Sequence, residues 1–208
     1  MPKQTFFNLS DEKRDHIIEV AIRTFAECGY QEASITSIVA RAGIAKGSFY
    51  QYFEDKDDLY LHILRSIAEF KIKIYKREFE GSAHVTLTEF LRRVAHMQLR
   101  EFKEAPLLQK VGLDFARARP EPVTAKFYES MQGVADSVYI AFIEEEKKCG
   151  RLDSKVDTEL LNCMLASVGQ YLTAWVESRG DDEITPANVD VIVDKLEYIL
   201  THGIYSNN

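Results

Sequence analysis

Apolar residues recur at helical spacing along nearly the whole chain, and no sustained alternation of the kind a strand needs interrupts them. The first run, about Ser10 to Cys28, sets Ile18, Ala21, Ile22 and Phe25 on one face. Ser10 is its candidate N-cap, and Asp11 and Glu12 suit the positive end of the helix dipole. Two short helices are expected next. Ser34 stands where an N-cap belongs, ahead of Ile35, Ile38, Val39 and Ala42. Gly43 can take the positive φ that ends this helix, and Ile44 plugs the turn into the core. Lys46 to Phe53 makes the second short helix, with Phe49 and Phe53 inward and Gly47, Ser48 and Gln51 outward, flanked by Tyr50 and Tyr52. A fourth helix starts at Asp55, with Asp58 three residues on. It runs through Leu59, Ile63, Ile67, Phe70 and Ile74 to about Phe79, long enough to link two domains.

The remaining pattern predicts helices over about Val85–Lys103, Leu107–Arg117, from beyond Pro122 to Lys148, from Asp153 or Ser154 to near Gly180, and from Thr185-Pro186 to Gly203. The prediction is an all-α chain of about nine helices. A three-helix N-terminal domain over 1–54 carries a helix-turn-helix, and a C-terminal helical bundle fills 55–208.

Composition narrows the function. With no run of 18 apolar residues, no membrane span is expected, and the N-terminal segment lacks the apolar core of a signal peptide, so the cytoplasm is the expected compartment. Cys28, Cys149 and Cys163 are odd in number with no C-x-x-C pair, and reduced thiols in or near the core are expected. His16, His62, His84, His96 and His202 show no metal-ligand spacing, so neither metal nor cofactor is called for. A Gly-rich phosphate loop, G-x-S-x-G and H-E-x-x-H are all missing from the sequence, which argues against an enzyme. The net charge of −7 opposes a nucleic-acid partner at first sight. Its distribution does not: between Ala33 and Phe53 there is no acidic residue, while Arg41 and Lys46 lie inside that window and Lys3 and Lys56 flank it.

A helix-turn-helix sets its second helix in the major groove of double-stranded DNA. Lys46 can reach a guanine edge or a phosphate there, Gly47 allows close backbone approach, and Ser48 offers a hydroxyl to a base or a phosphate.

Ser34-Ile35, Ile38-Val39, Ala42-Gly43-Ile44, Lys46-Gly47-Ser48-Phe49-Tyr50, Tyr52-Phe53 and Lys56-Asp57-Asp58-Leu59 together resemble the TetR/AcrR family of bacterial transcription regulators. The likeness extends back through Ile18, Ala21, Ile22, Phe25, Gly29 and Tyr30 and covers the first quarter to third of the chain. It implies that Tyr50 and Lys56 clamp phosphates, that Ser34 serves another phosphate, and that Tyr52 touches DNA. One departure is Ala45, where relatives commonly carry a serine or threonine that caps the recognition helix.

The resemblance also implies a homodimer, joined through its last two long helices, whose paired recognition helices read a palindromic operator. Leu161, Leu165, Val168, Gly169 and Leu172 are the candidate contacts on one, and Ile192, Leu196, Ile199 and Leu200 on the other. It further implies a small apolar or amphipathic effector held by the C-terminal bundle, for which His96, Asp114, Phe115 and Tyr139, with Asn162, Gln170 and Trp175, are the candidate contacts. Release of a repressor by that effector is the expected mechanism. The alternatives are an activator or a DNA-free interaction protein of the same fold, or a helical enzyme.

Overall fold

The computed structural model describes residues 1–79, 85–130, 138–177 and 185–203; the side chains of 138, 169, 170 and 172–177 lie outside the described set. All regular structure among the described residues is helical: α1 Gln4–Phe7, α2 Asp11–Glu32, α3 Ile35–Ala42, α4 Lys46–Tyr52, α5 Lys56–Phe79, α6 Leu87–Glu104, α7 Pro106–Ala118, α8 Val123–Ser130, α9 Val138–Lys148, α10 Thr158–Glu177 and α11 Pro186–His202. These are eleven segments against the nine expected. The short α1 was not foreseen, and the expected long helix ending at Lys148 is described as α8 and α9, with 131–137 between them outside the described residues.

Local chemistry explains most boundaries. The Ser34 hydroxyl accepts the Ser37 amide at 3.1 Å and so caps α3, and Gly43 ends it in the left-handed region at φ 65°. Asp55 accepts the Asp58 amide at 2.8 Å while Asp58 accepts the Glu54 amide at 3.2 Å, a reciprocal cap that opens α5. Thr185 caps α11 by accepting the Asn188 amide. Ser10 precedes α2 without a side-chain cap bond. α2 breaks at Gly29, whose φ of 75° suits glycine, close to the expected end at Cys28.

The chain forms two compact units that alternate along the sequence: Met1–Lys73 with Ala105–Ala135, and Ile74–Glu104 with Asp136–Asn208. None of the three borders falls at the expected division after Glu54. In the first unit, α7 packs along α2, and Val111, Phe115 and Val123 join Ile17, Phe25, Ile38, Phe49, Phe53, Tyr60 and Ile63 in one core. Each such side chain contributes roughly 1.5–3 kcal/mol by leaving water. In the second unit α6 is central. It sets Phe90, Leu91, Val94 and Met97 against Ile143 of α9, Leu165 of α10, and Val189 and Val193 of α11. Phe90 stacks on Phe142 at 4.1 Å.

The three cysteines are exposed, not in or near the core as expected. Among the described residues no helix is long and apolar enough to cross a membrane, and no group of three or more His, Cys, Asp or Glu side chains is placed to hold a metal.

Candidate nucleic-acid interface

α3 and α4 pack against each other through the Gly43 turn, and the helical period sorts the side chains of α4. Phe49, Tyr52 and the following Phe53 share the inward arc and are buried. Lys46, Gly47, Tyr50 and Gln51 share the outward arc and are exposed, with Ser48 half-buried at its edge. Tyr50 presents an exposed ring whose edge meets Phe49. Lys46 makes no ion pair among the described residues. Gly47 has an ordinary helical φ, and a methyl group built on it would meet nothing within 4 Å. On α3, Ser34 is exposed even while its hydroxyl caps the helix.

Three expectations change here. Tyr52 is buried at 7% exposure, with its ring 6.1 Å from Phe6, because it lies on the same arc as Phe49. Lys56 has a structural task. Its ammonium donates to the carbonyls of Tyr30 at 2.7 Å, Ala33 at 3.0 Å and Gln31 at 3.3 Å, and lies 4.3 Å over the Tyr30 ring. An ammonium has three protons, and all three are engaged at the exit of α2 rather than offered to a phosphate. Arg41 is likewise occupied, 2.6 Å from Glu27. The acidic side chain that neutralises it lies fourteen positions back on α2, outside the window in which the sequence shows no acid.

The effector candidates do not gather. Asp114 and Phe115 belong to the first unit, where Asp114 pairs with Lys110 at 2.8 Å and Phe115 packs in the core against Tyr60. His96 belongs to the second unit and ties α6 to α11, its Nε2 2.8 Å from Asp190. Arg92 reinforces the tie, 2.7 Å from Asp190 and 2.6 Å from Asp194. Desolvation pushes the Asp190 carboxyl up, but Arg92 and His96 together outweigh it and hold that carboxyl below its ordinary range. Tyr139 lines an apolar cavity with Leu91, Val94, Leu165, Ile192 and Leu196, and burial pushes its hydroxyl up to about 12. The free space in that cavity is about 10 Å³, room for one water at most. Asn162 is half-buried, and the side chains of Gln170 and Trp175 lie outside the described set.

A buried polar group near Tyr139 escaped the sequence reading. Burial raises the Tyr75 hydroxyl first, and Tyr139 and Glu101 add to the shift, while Gln98 opposes it. Glu101 is buried on the same stripe of α6 as Val94 and Met97. A charged residue in phase with a core stripe was the signal available for it.

Six of the nine expected dimer contacts pack within their own unit. Leu165 is buried, and Leu161, Val168, Ile192, Leu196 and Leu200 pack against the core of their own unit. Of the nine, Ile199 is exposed, and the side chains of Gly169 and Leu172 lie outside the described set. The neighbouring stripe carries the outward apolar groups: Leu160, Met164 and Tyr171 on α10, and Val191, Tyr198 and Ile199 on α11. Both stripes are apolar, and sequence periodicity marks the two without saying which one the chain covers itself.

Residues 17–63 match the family model described as bacterial regulatory proteins, tetR family. The HTH-type transcriptional regulator AcrR of Shigella flexneri is 31% identical over 104 residues, spanning 48% of this chain and about half (48%) of that protein. A fatty acid metabolism regulator protein of Bacillus subtilis (strain 168) is 35% identical over 164 residues, covering 77% of this chain and 81% of its own length. Among solved structures, the transcriptional regulator FadR from Bacillus subtilis, in complex with stearoyl-CoA, matches with a TM-score of 0.73 at 21% identity, over 92% of this chain and 99% of that one. An all-α fold, a helix-turn-helix inside the matched segment and a long alignment to a regulator agree: this chain belongs to the tetR family of bacterial transcriptional regulators.

Proposed function

We propose that the protein is a cytoplasmic homodimer that occupies a palindromic operator, represses transcription, and leaves the operator when a small apolar or amphipathic effector enters the second unit. In this reading residues 1–54 form the DNA-binding part and 55–208 serve effector binding and dimerisation. Lys46, Gly47 and Ser48 read the major groove, and Ser34 and Tyr50 hold phosphates.

Gly47 carries the argument. Glycine inside a helix costs about 1 kcal/mol relative to alanine. Neither a positive φ nor a neighbouring atom in this chain requires glycine there. Surface space kept open at such a cost on the outward arc of α4 suits a partner that comes in close, as a groove does. Gly112 on α7 is also helical with open space around it, and it serves as the control.

If the effector enters beside Tyr139, the apolar cavity there has to widen, because it is far smaller than the few hundred Å³ that hold a small molecule. A ligand that favours the opened state shifts operator affinity only by its differential affinity for the two states. The apolar side chains left outward on α10 and α11 supply the surface for a second copy, and a two-fold pair of recognition helices is what a palindrome demands.

The test is titration of the protein with DNA from upstream of its own gene at two salt concentrations, alongside Gly47→Ala and Gly112→Ala. Both substitutions should raise the melting temperature, and only Gly47→Ala should lose operator affinity, by at least about tenfold if the backbone approach matters. Equal affinity of Gly47→Ala and wild type would remove the ground for this reading. Binding accompanied by rising transcription would make the protein an activator.

A further inference from the structure

The recognition helix α4 is poorly equipped to persist alone. It has seven residues, contains a glycine, has no side-chain cap at Ala45 and no basic residue in its last turn. Isolated helices of this length do not hold in water. Phe49, Tyr52 and Phe53 anchor one arc, which fixes where α4 sits but leaves its terminal carbonyls unsatisfied.

Those carbonyls are taken by the segment at Lys3–Thr5. The Lys3 amide donates to the Tyr52 carbonyl at 2.8 Å, the Lys3 ammonium donates to the Tyr50 carbonyl at 2.9 Å, and the Thr5 hydroxyl donates to the Gln51 carbonyl. Three consecutive carbonyls at the end of α4 are thus bound from outside the helix. The Lys3 charge also opposes the negative end of the α4 dipole. α1 follows directly and packs on α4, with Phe6 4.8 Å from Phe53 and 6.1 Å from Tyr52.

We infer that Lys3 and Thr5 are positioning residues for operator recognition: they hold the last turn of α4 closed, and so fix the angle at which Lys46, Gly47 and Tyr50 meet DNA. The binding part of this inference rests on the DNA-binding reading above; the effect on α4 itself does not. The assignment separates Lys3 from a phosphate-contacting lysine, the role its place beside a basic window would otherwise suggest.

The test uses the full chain with Lys3→Met and Thr5→Val, and with Lys3→Arg and Thr5→Ser as conservative variants that keep a donor. Amide hydrogen exchange on the free protein should show faster exchange confined to the last turn of α4 in Lys3→Met and Thr5→Val, with restoration in Lys3→Arg and Thr5→Ser. The operator Kd should rise about fivefold for either damaging variant, the fold-change that loss of one helix-end contact implies. The slope of log K against log salt should stay at the wild-type value. A lysine lost from a phosphate would instead make it shallower by about 0.9 per protomer. A shallower slope in Lys3→Met, unchanged exchange in α4, or failure of Thr5→Ser to restore wild-type behaviour would overturn the inference. If the wild type binds no DNA while α4 exchange still responds to Lys3 and Thr5, the DNA-binding reading fails and the clamp stands.

Discussion

Lys56 shows how a single side chain can be correctly noticed and wrongly employed. The family resemblance made it a candidate for phosphate, yet its three protons close the exit of α2. Lys56→Met keeps the stem and removes those bonds. We expect it to cost about 2 kcal/mol of stability, read as a lower denaturation midpoint at unchanged slope. His62 offers a different check. It is half-buried 5.8 Å from Phe6 and 6.4 Å from Phe53, and desolvation lowers its pKa. Arg65 adds to that lowering, whereas Asp58 and Glu69 oppose it. The unfolded chain therefore takes up the His62 proton first as pH falls, and stability drops from about pH 6.5 downwards while nothing is lost above it. His62→Leu should remove that part of the acid sensitivity, seen as a smaller loss of melting temperature between pH 7 and pH 5. Among single residues, the sequence made most local caps legible: Ser34, Gly43, Asp55 and Thr185 act as their spacing suggests, whereas Ser10 makes no cap bond. Long-range partners such as Glu27 for Arg41 or Tyr30 for Lys56 were not legible, because nothing in a linear pattern measures distance across a fold.

At the level of elements, every long amphipathic run was readable because apolar spacing and helix ends reinforce one another. Two things were hidden. The short α1 is too brief for periodicity to register, and it exists through its contacts with α4. The choice between adjacent apolar stripes on α10 and α11 depends on what α6 covers. The missing N-cap of α4 yields a prediction. Ala45 has the extended backbone of a capping residue, φ −68° and ψ 145°, with no oxygen to offer. Ala45→Ser should stabilise the protein by about 0.5–1 kcal/mol, measured by thermal melting, and should slow amide exchange in the first turn of α4.

For the whole molecule, the proposed dimer rests on the outward apolar side chains of α10 and α11. Met164→Lys together with Ile199→Glu should leave helicity intact and convert the species seen by sedimentation from dimer to monomer, with loss of binding to a palindrome and retention of weak binding to a half-site. A wild-type protein that sediments as a monomer at micromolar concentration would remove the dimer from the proposal. The order of the compact units has a separate consequence for engineering. Because α7 returns to pack on α2 and Val123 of α8 joins the same core, a chimera that joins residues 1–54 to another regulator would cut through a packed core and not a linker. Exchange of operator specificity between regulators of this kind has to carry Val111, Phe115 and Val123 along with the recognition helix, or find their equivalents already waiting in the recipient.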